Sequence, residues 1–270
     1  MPDVYVTIEQ ADPEVVARLA DILELRAADP QQRAMRDDYL TDLAPAADAR
    51  VLEIGCGTGA VTRDLAGRAP AGRAVGMDPS PLFVEQAARR AEGIANLSFV
   101  CGDGRALPFG DAAFDAVVCH TSLCHIPKPE RVLAEARRVL APDGRLAVFD
   151  GDYVTTTVAL YAHDPLQACA DAAVEALVHD SRLVRRLPAL VRAAGFEVVR
   201  VRSHGYAETE DPTYMLTLVD RGADTLAVEG RLGTAAADAL KAEARRRAAA
   251  GEFFGHIAYL SVIARRPATG

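Results

Sequence analysis

The stretch Val51-Leu52-Glu53-Ile54-Gly55-Cys56-Gly57-Thr58-Gly59-Ala60 constrains this chain more than any other. A short apolar run with one acid breaks into glycines at alternate positions. A helix-like segment then runs through Leu65 and Ala66. This is the pattern of a strand that turns sharply into a helix over a ligand. Glycine there lets the backbone approach a nucleotide-like molecule that a Cβ would hold off. The turn satisfies G-x-G-x-x-A as well as G-x-G-x-G, and Asp78 stands where an acid ending the second strand grips ribose hydroxyls. On these features alone, a nicotinamide-dependent oxidoreductase fits too.

The rhythm around the turn sets the fold class. Strands are expected near 50–54, 73–77, 97–101, 114–119 and 145–150, and helices over 59–67, 80–92 and 129–140. Ser80-Pro81 is a helix start, and Pro142-Asp143-Gly144 is a turn into the fifth strand. Such alternation predicts an α/β, doubly wound, mostly parallel sheet covered by helices on both faces. Asp12-Pro13 and Asp29-Pro30 are N-cap and N1 pairs that open two helices ahead of the sheet. Val15, Val16, Leu19, Ile22 and Leu23 form the stripe of the first. After Asp150 the rhythm changes: 151–180 reads as mainly helical and outside the sheet. A helix ending at Gly195 feeds a strand from Phe196 to Val201, 211–250 reads as helical, and His256 to Ala264 is a last strand. One domain over 1–270 is the result, with a helical cap at 1–45 and a ligand-binding core at 50–150. Helical lid insertions occupy 151–180 and 211–250, and 181–206 and 251–265 complete the core.

The chain has 270 residues, half of them hydrophobic, which suffices for one core with a lid. A net charge of −8 argues against a nucleic-acid backbone as partner, and Arg245-Arg246-Arg247 reads as a solvated helix face. The richest apolar run, Val158 to Val178, contains His163, Asp164, Asp171 and Glu175, so no membrane span is expected. Met1-Pro2-Asp3 lacks a signal-peptide pattern. The five cysteines include no C-x-x-C pair. Cys119 and Cys124, flanked by His120 and His125, imitate a metal clip only superficially, and no metal site is expected. Buried thiols in a reducing, cytoplasmic setting are the reading.

Three features separate the nucleotide readings. Glu53 lies in the strand just before the glycines, where a carboxylate repels a pyrophosphate and suits a ligand bearing an ammonium group. Asp103, in Cys101-Gly102-Asp103-Gly104, ends the third strand and can accept from an exocyclic amine. The segment Leu107 to Asp115, then Leu123-Cys124-His125-Ile126, then Arg131 to Leu140 and Pro142-Asp143-Gly144, completes an ordered series. With these motifs, Val51 to Asp150 resembles the class I S-adenosylmethionine-dependent methyltransferases, on the small-molecule branch of ubiquinone/menaquinone type. Pro142-Asp143-Gly144 departs mildly from that family's Pro-Gly-Gly.

The resemblance implies a Rossmann-like seven-stranded sheet with an antiparallel last strand, and S-adenosylmethionine as cofactor. It implies that Gly55, Cys56, Gly57 and Gly59 approach the methionine and ribose parts, and that Glu53 holds the ammonium. It further implies Asp78 on the ribose hydroxyls, Met77 and Pro79 along the adenine, Asp103 and Gly104 at the adenine edge, and His120 beside the methionine portion. Charge-assisted hydrogen bonds of this kind contribute roughly 1.5–3 kcal/mol each. Methyl transfer is an in-line displacement needing the nucleophile about 3–3.5 Å from the methyl carbon. An acceptor hydroxyl can need a base. His120, His125, Tyr153 and His163 are the candidates, with His204, His256 and Asp152 behind them. For His125 the family position implies packing or hydrogen bonding. Asp150-Gly151-Asp152-Tyr153 leaves the sheet at the ligand edge and is expected to line the pocket. Tyr206, Tyr214, Met215, Leu216, Phe253 and Phe254 suggest a partly apolar cavity. The expected acceptor is a small, partly hydrophobic molecule, methylated on O or N ahead of C. A homodimer is left open. The rival readings are the oxidoreductase and a non-methylating protein that binds the same cofactor.

Overall fold

A computed structural model describes residues 3–210 and 212–268. Met1 and Pro2, on which the signal-peptide reading rests, lie outside the described residues, as does Asp211 at the start of the second lid insertion. The two aspartate-proline pairs do what their chemistry predicts. The Asp12 carboxylate accepts from Glu14 N at 2.8 Å and opens α1 (Pro13–Ala28), and Asp29 accepts from Gln32 N at 2.9 Å and opens α2 (Pro30–Leu43). A short 3-10 segment, Val4–Gln10, precedes them, capped by Asp3.

The strands are β1 (Arg50–Ile54), β2 (Arg73–Asp78), β3 (Leu97–Cys101), β4 (Phe114–His120), β5 (Leu140–Thr157), β6 (Glu197–Glu208) and β7 (Gly255–Arg265). They form one sheet in the order β3-β2-β1-β4-β5-β7-β6, with β7 antiparallel to β5 and β6. Helices α3 (Ala60–Arg68), α4 (Pro81–Arg90) and α5 (Pro129–Val139) connect the parallel strands. The strand order reverses between β1 and β4, and a crevice opens there at the carboxyl ends of the strands. Val51, Leu52 and Ile54 are buried, so β1 is a rigid central support for the glycine turn.

The remaining helices are α6 (Leu166–Leu177), α7 (Leu183–Ala193), α8 (Thr213–Val228) and α9 (Thr234–Ala249). The expectation of a mainly helical 151–180 is corrected: β5 runs on to Thr157 against β7. Val154 to Thr157 is an unbroken β-branched run, which favours extended backbone over helix. Pro142-Asp143-Gly144 lies inside the same strand, with Asp143 at φ +62°. β6 likewise outruns its expected end at Val201 and reaches Glu208.

In the lid, α6 and α8 pack so closely that a Cβ on Gly222 would lie 1.7 Å from the Cys169 carbonyl oxygen. Helix α9 is fastened by an ion pair. Arg247 Nη1 and Nη2 donate to Asp164 Oδ2 and Oδ1 at 2.6 and 3.2 Å, with both side chains buried. The solvated-face reading of 245–247 therefore describes Arg245 and Arg246, which pair with Asp220 and with Glu243 and Glu252. Arg247 instead turns inward. Tyr206, Met215 and Phe253 are core residues. Cys56, Cys119, Cys124 and Cys169 are buried free thiols, whereas Cys101 is exposed. Among the described residues no helix is long and apolar enough to cross a membrane, and no group of three or more His, Cys, Asp or Glu side chains could hold a metal ion.

Candidate active site

The glycine turn is pinned to the end of β2. Gly55 N and Cys56 N both donate to Met77 O, at 2.7 and 3.0 Å. Gly55 sits at φ +74°, and a Cβ there would meet Ser122 Cβ at 2.5 Å. Both facts require glycine. Asp78 completes the clamp: Oδ2 accepts from Gly57 N and Oδ1 from Ser80 N, each at 2.9 Å. A carboxylate has about four acceptor positions, so each oxygen keeps capacity for a ligand hydroxyl. Burial pushes the Asp78 pKa up to about 6 against those two backbone bonds. Glu53 is 2% exposed and accepts from Thr62 Oγ1 at 2.5 Å. Burial raises its pKa to about 8, outweighing the Thr62 bond and the Arg36 charge.

Glu53, Gly55, Cys56, Gly57, Asp78 and Pro79 line one end of a single cavity. Counted out to its solvent-open mouth, the cavity is about 1520 Å³. Gly59, Met77, Asp103 and Gly104 are not on its wall. Gly59 caps α3 in the left-handed conformation, and Met77 is fully buried. The Asp103 side chain is half exposed and forked onto Arg105, whose Nε and Nη2 donate to it at 2.9–3.1 Å. That ion pair pulls its pKa down.

Beside the glycine turn the cavity wall continues where β4 and β5 leave the sheet, with Ser122 against Gly55. His120 Nδ1 is 2.9 Å from the Tyr39 hydroxyl, and its ring stacks on Phe149 at 4.9 Å. Burial, then the charges of Arg26 and Arg36, push its pKa well down. The ring is thus a neutral imidazole that resists protonation. Thr121 follows at φ +47°, a conformation costly for a β-branched residue, and accepts from Arg26 Nη2 at 2.6 Å. His125 Nδ1 lies 2.7 Å from Asp3 Oδ2. That carboxylate is buried and also accepts from His179 N and Tyr5 N. Tyr153 lines the same region, its pKa raised well above the usual value by burial and then by Cys124 and Asp150.

The candidate bases thus divide. His120, His125 and Tyr153 are on the cavity wall. His163 is exposed in the loop before α6, His204 is held by Ser261 Oγ at 2.9 Å, and His256 stacks on Phe254; none of these three is on the wall. Of the 150–153 segment, only Tyr153 reaches the wall. Asp150 is buried behind it, accepting from Cys124 N and Gly151 N, and Asp152 pairs with Arg185. Of the expected lid aromatics, Tyr214 alone is on the wall.

The residues that sequence reasoning passed over are Asp3, Tyr5, Arg26, Thr156 and Arg221. Arg26 had a signal: it stands three, four and seven residues after Leu23, Ile22 and Leu19, a cation on the apolar stripe of α1. Arg221 shares the Tyr214, Thr217 and Leu218 face of α8 in the same way.

Glu53 makes the site pH-sensitive. With a folded pKa above its unfolded one, the carboxyl contributes stability that is complete at low pH and is lost as pH rises toward about 8. Glu53→Gln should therefore gain stability over the parent progressively between pH 5 and about 8 and level off above, in thermal melts across that range. A cationic ligand favours the ionised carboxylate, so its affinity for the parent should rise over the same window and that of the variant should not.

Residues 52–148 match the family model described as a methyltransferase domain. The chain is 34% identical over 194 residues to an uncharacterized 37.1 kDa protein in transposon TN4556 of Streptomyces fradiae, covering 72% of this chain and 55% of that protein. It is 29% identical to a ubiquinone/menaquinone biosynthesis C-methyltransferase UbiE of Dinoroseobacter shibae, covering 70% of this chain and 82% of the relative. Among solved structures it resembles the [4+2]-cyclase SpnF, with a TM-score of 0.54, 26% identity, and 89% and 85% of the two chains covered.

Proposed function

We propose, from the premise that the chain is a class I S-adenosylmethionine-dependent methyltransferase, that it methylates an oxygen or nitrogen of a small, partly apolar acceptor with His125 as general base. The residues present suit the cofactor. Glu53 and Asp78 are buried acceptors at one end of the cavity, matched to an ammonium group and to ribose hydroxyls, beside a turn held open by glycine. The bound cofactor supplies an activated methyl group; the chain supplies position and proton removal. Gly55, Gly57, Glu53 and Asp78 would hold it, with Pro79 and Phe83 as apolar wall.

The observation that carries the base assignment is the Asp3–His125 contact. A carboxylate at Nδ1 fixes the tautomer with Nδ1–H, orients the ring and leaves Nε2 to accept a proton. His125 Nε2 would take the acceptor's O–H or N–H proton as the acceptor atom displaces the donor's sulfur from the methyl carbon, and Asp3 would stabilise the imidazolium that forms. His120 lacks such a partner and has two guanidinium charges beside it. Tyr153, with a raised pKa, stays a phenol at neutral pH.

Two other readings have specific support. The name of the Dinoroseobacter relative favours C-methylation, and SpnF is a cyclase with this chain organisation, which favours a non-methylating reaction. Incubation with methyl-labelled S-adenosylmethionine and a panel of phenols, amines and quinols separates all three. Label on oxygen or nitrogen supports the proposal, label on carbon supports the UbiE-like reading, and acceptor conversion without demethylated cofactor supports the third.

A further inference from the structure

The acceptor end of the cavity holds cationic charge that the protein leaves unbalanced. Arg26 on α1 and Arg221 on α8 both line it. Three other arginines with shielded side chains have carboxylates: Arg36 has Asp64, Arg63 has Glu24, and Arg247 has Asp164. Arg26 donates only to the Thr121 hydroxyl, and Arg221 has no hydrogen bond or ion pair among the described residues. Both charges act on the Tyr5 hydroxyl, and all three residues are on the cavity wall. The cavity's own carboxylates, Glu53 on β1 and Asp78 on β2, form no ion pair with either arginine among the described residues, and Asp3 is committed to His125.

A second observation points the same way. Thr156, 4% exposed and on the cavity wall, buries its Oγ1 with no hydrogen-bond partner. A buried hydroxyl left unpaired is unfavourable, and a ligand oxygen beside it would complete its bonding. The same wall includes the apolar side chains of Val174, Leu177 and Leu218.

We propose that the methyl acceptor is an organic acid, an apolar body carrying a carboxylate or phosphate, whose anionic group is held by Arg26 and Arg221 with Thr156 as a further donor. The proposal rests on the methyl-transfer reading and narrows its substrate class. Arginine forks match the oxygens of either anion. His125 then serves the hydroxyl or amine elsewhere on the same molecule.

The test uses full-length protein first titrated with S-adenosylhomocysteine and then, when saturated, with phenylacetate, octanoate and phenyl phosphate, alongside phenylacetamide and octanamide. At least one acid should bind roughly tenfold or more tighter than its neutral counterpart, the margin expected of a charge-assisted hydrogen bond. Comparison of the phosphate with the carboxylates tells which anion is read. Arg221→Gln and Arg26→Gln should each erase that margin and leave S-adenosylhomocysteine affinity unchanged. Amides binding as well as acids, or no acid binding at millimolar concentration, overturns the proposal. So does a variant that loses cofactor affinity, because its arginine then serves the cofactor. Failure of the first titration is a failure of the methyl-transfer reading itself and is seen before any acid is added.

Discussion

Replacement of His125 by asparagine is expected to lower kcat by roughly 10²–10⁴, the usual contribution of a positioned general base. Asparagine keeps a polar group near Asp3 and fills similar space, so folding and cofactor affinity should hold. The loss should therefore fall on kcat, with the cofactor Kd unchanged. Asp3→Asn is the matched control. It leaves the imidazole in place but removes the carboxylate at 2.7 Å that sets the tautomer, and should cost less than His125→Asn. A packing role for His125 predicts instead a fall in stability with kcat retained in whatever protein remains folded. Stopped assays of labelled methyl transfer, run beside thermal melts, separate the two outcomes.

Asp164→Ala is expected to cost about 3–5 kcal/mol of folding stability, as does removal of one partner from a buried ion pair. The magnitude reflects a buried guanidinium that loses its buried carboxylate. Arg247 is 4% exposed, and its remaining carboxylate neighbour is Glu243 on its own helix. The Leu160 and Leu166 backbone N–H groups that Asp164 also caps lose their acceptor. Asp164→Leu combined with Arg247→Met should recover much of the loss, since apolar replacement of both partners removes that charge. Urea midpoints for the single and double variants check this. A single variant as stable as the parent would mean that α9 does not rely on this pair.

Legibility in the sequence followed locality. The glycine turn, Glu53 and Asp78 sit within one strand-turn-helix and the end of the next strand, so spacing and residue type sufficed to group them. The caps at Asp12 and Asp29 were legible for the same reason. Asp3, Arg26, His125, Tyr153 and Arg221 come from five separate parts of the chain and are brought around one cavity only after the sheet is wound. No local pattern announces a contact between residues 3 and 125. The extension of β5 was missed because Asp150-Gly151-Asp152 reads as a break. In the structure Asp150 is satisfied by Cys124 N and Gly151 N, so the strand continues past it. At Asp103 a neighbour two residues away competes: Arg105 forks onto the carboxylate. Arg26 and Arg221, which lack carboxylate partners, were the least legible, because in sequence an arginine on an apolar stripe looks like a surface residue at the edge of its helix.

Calorimetric titration of the intact chain with S-adenosylmethionine and, separately, with NAD tests most directly whether the glycine turn is a methyl-donor site. Saturable binding of S-adenosylmethionine at one site per chain, weakened by Asp78→Ala and with no heat from NAD, is the predicted result. Binding of NAD in place of S-adenosylmethionine, or S-adenosylmethionine binding indifferent to Asp78, would contradict it.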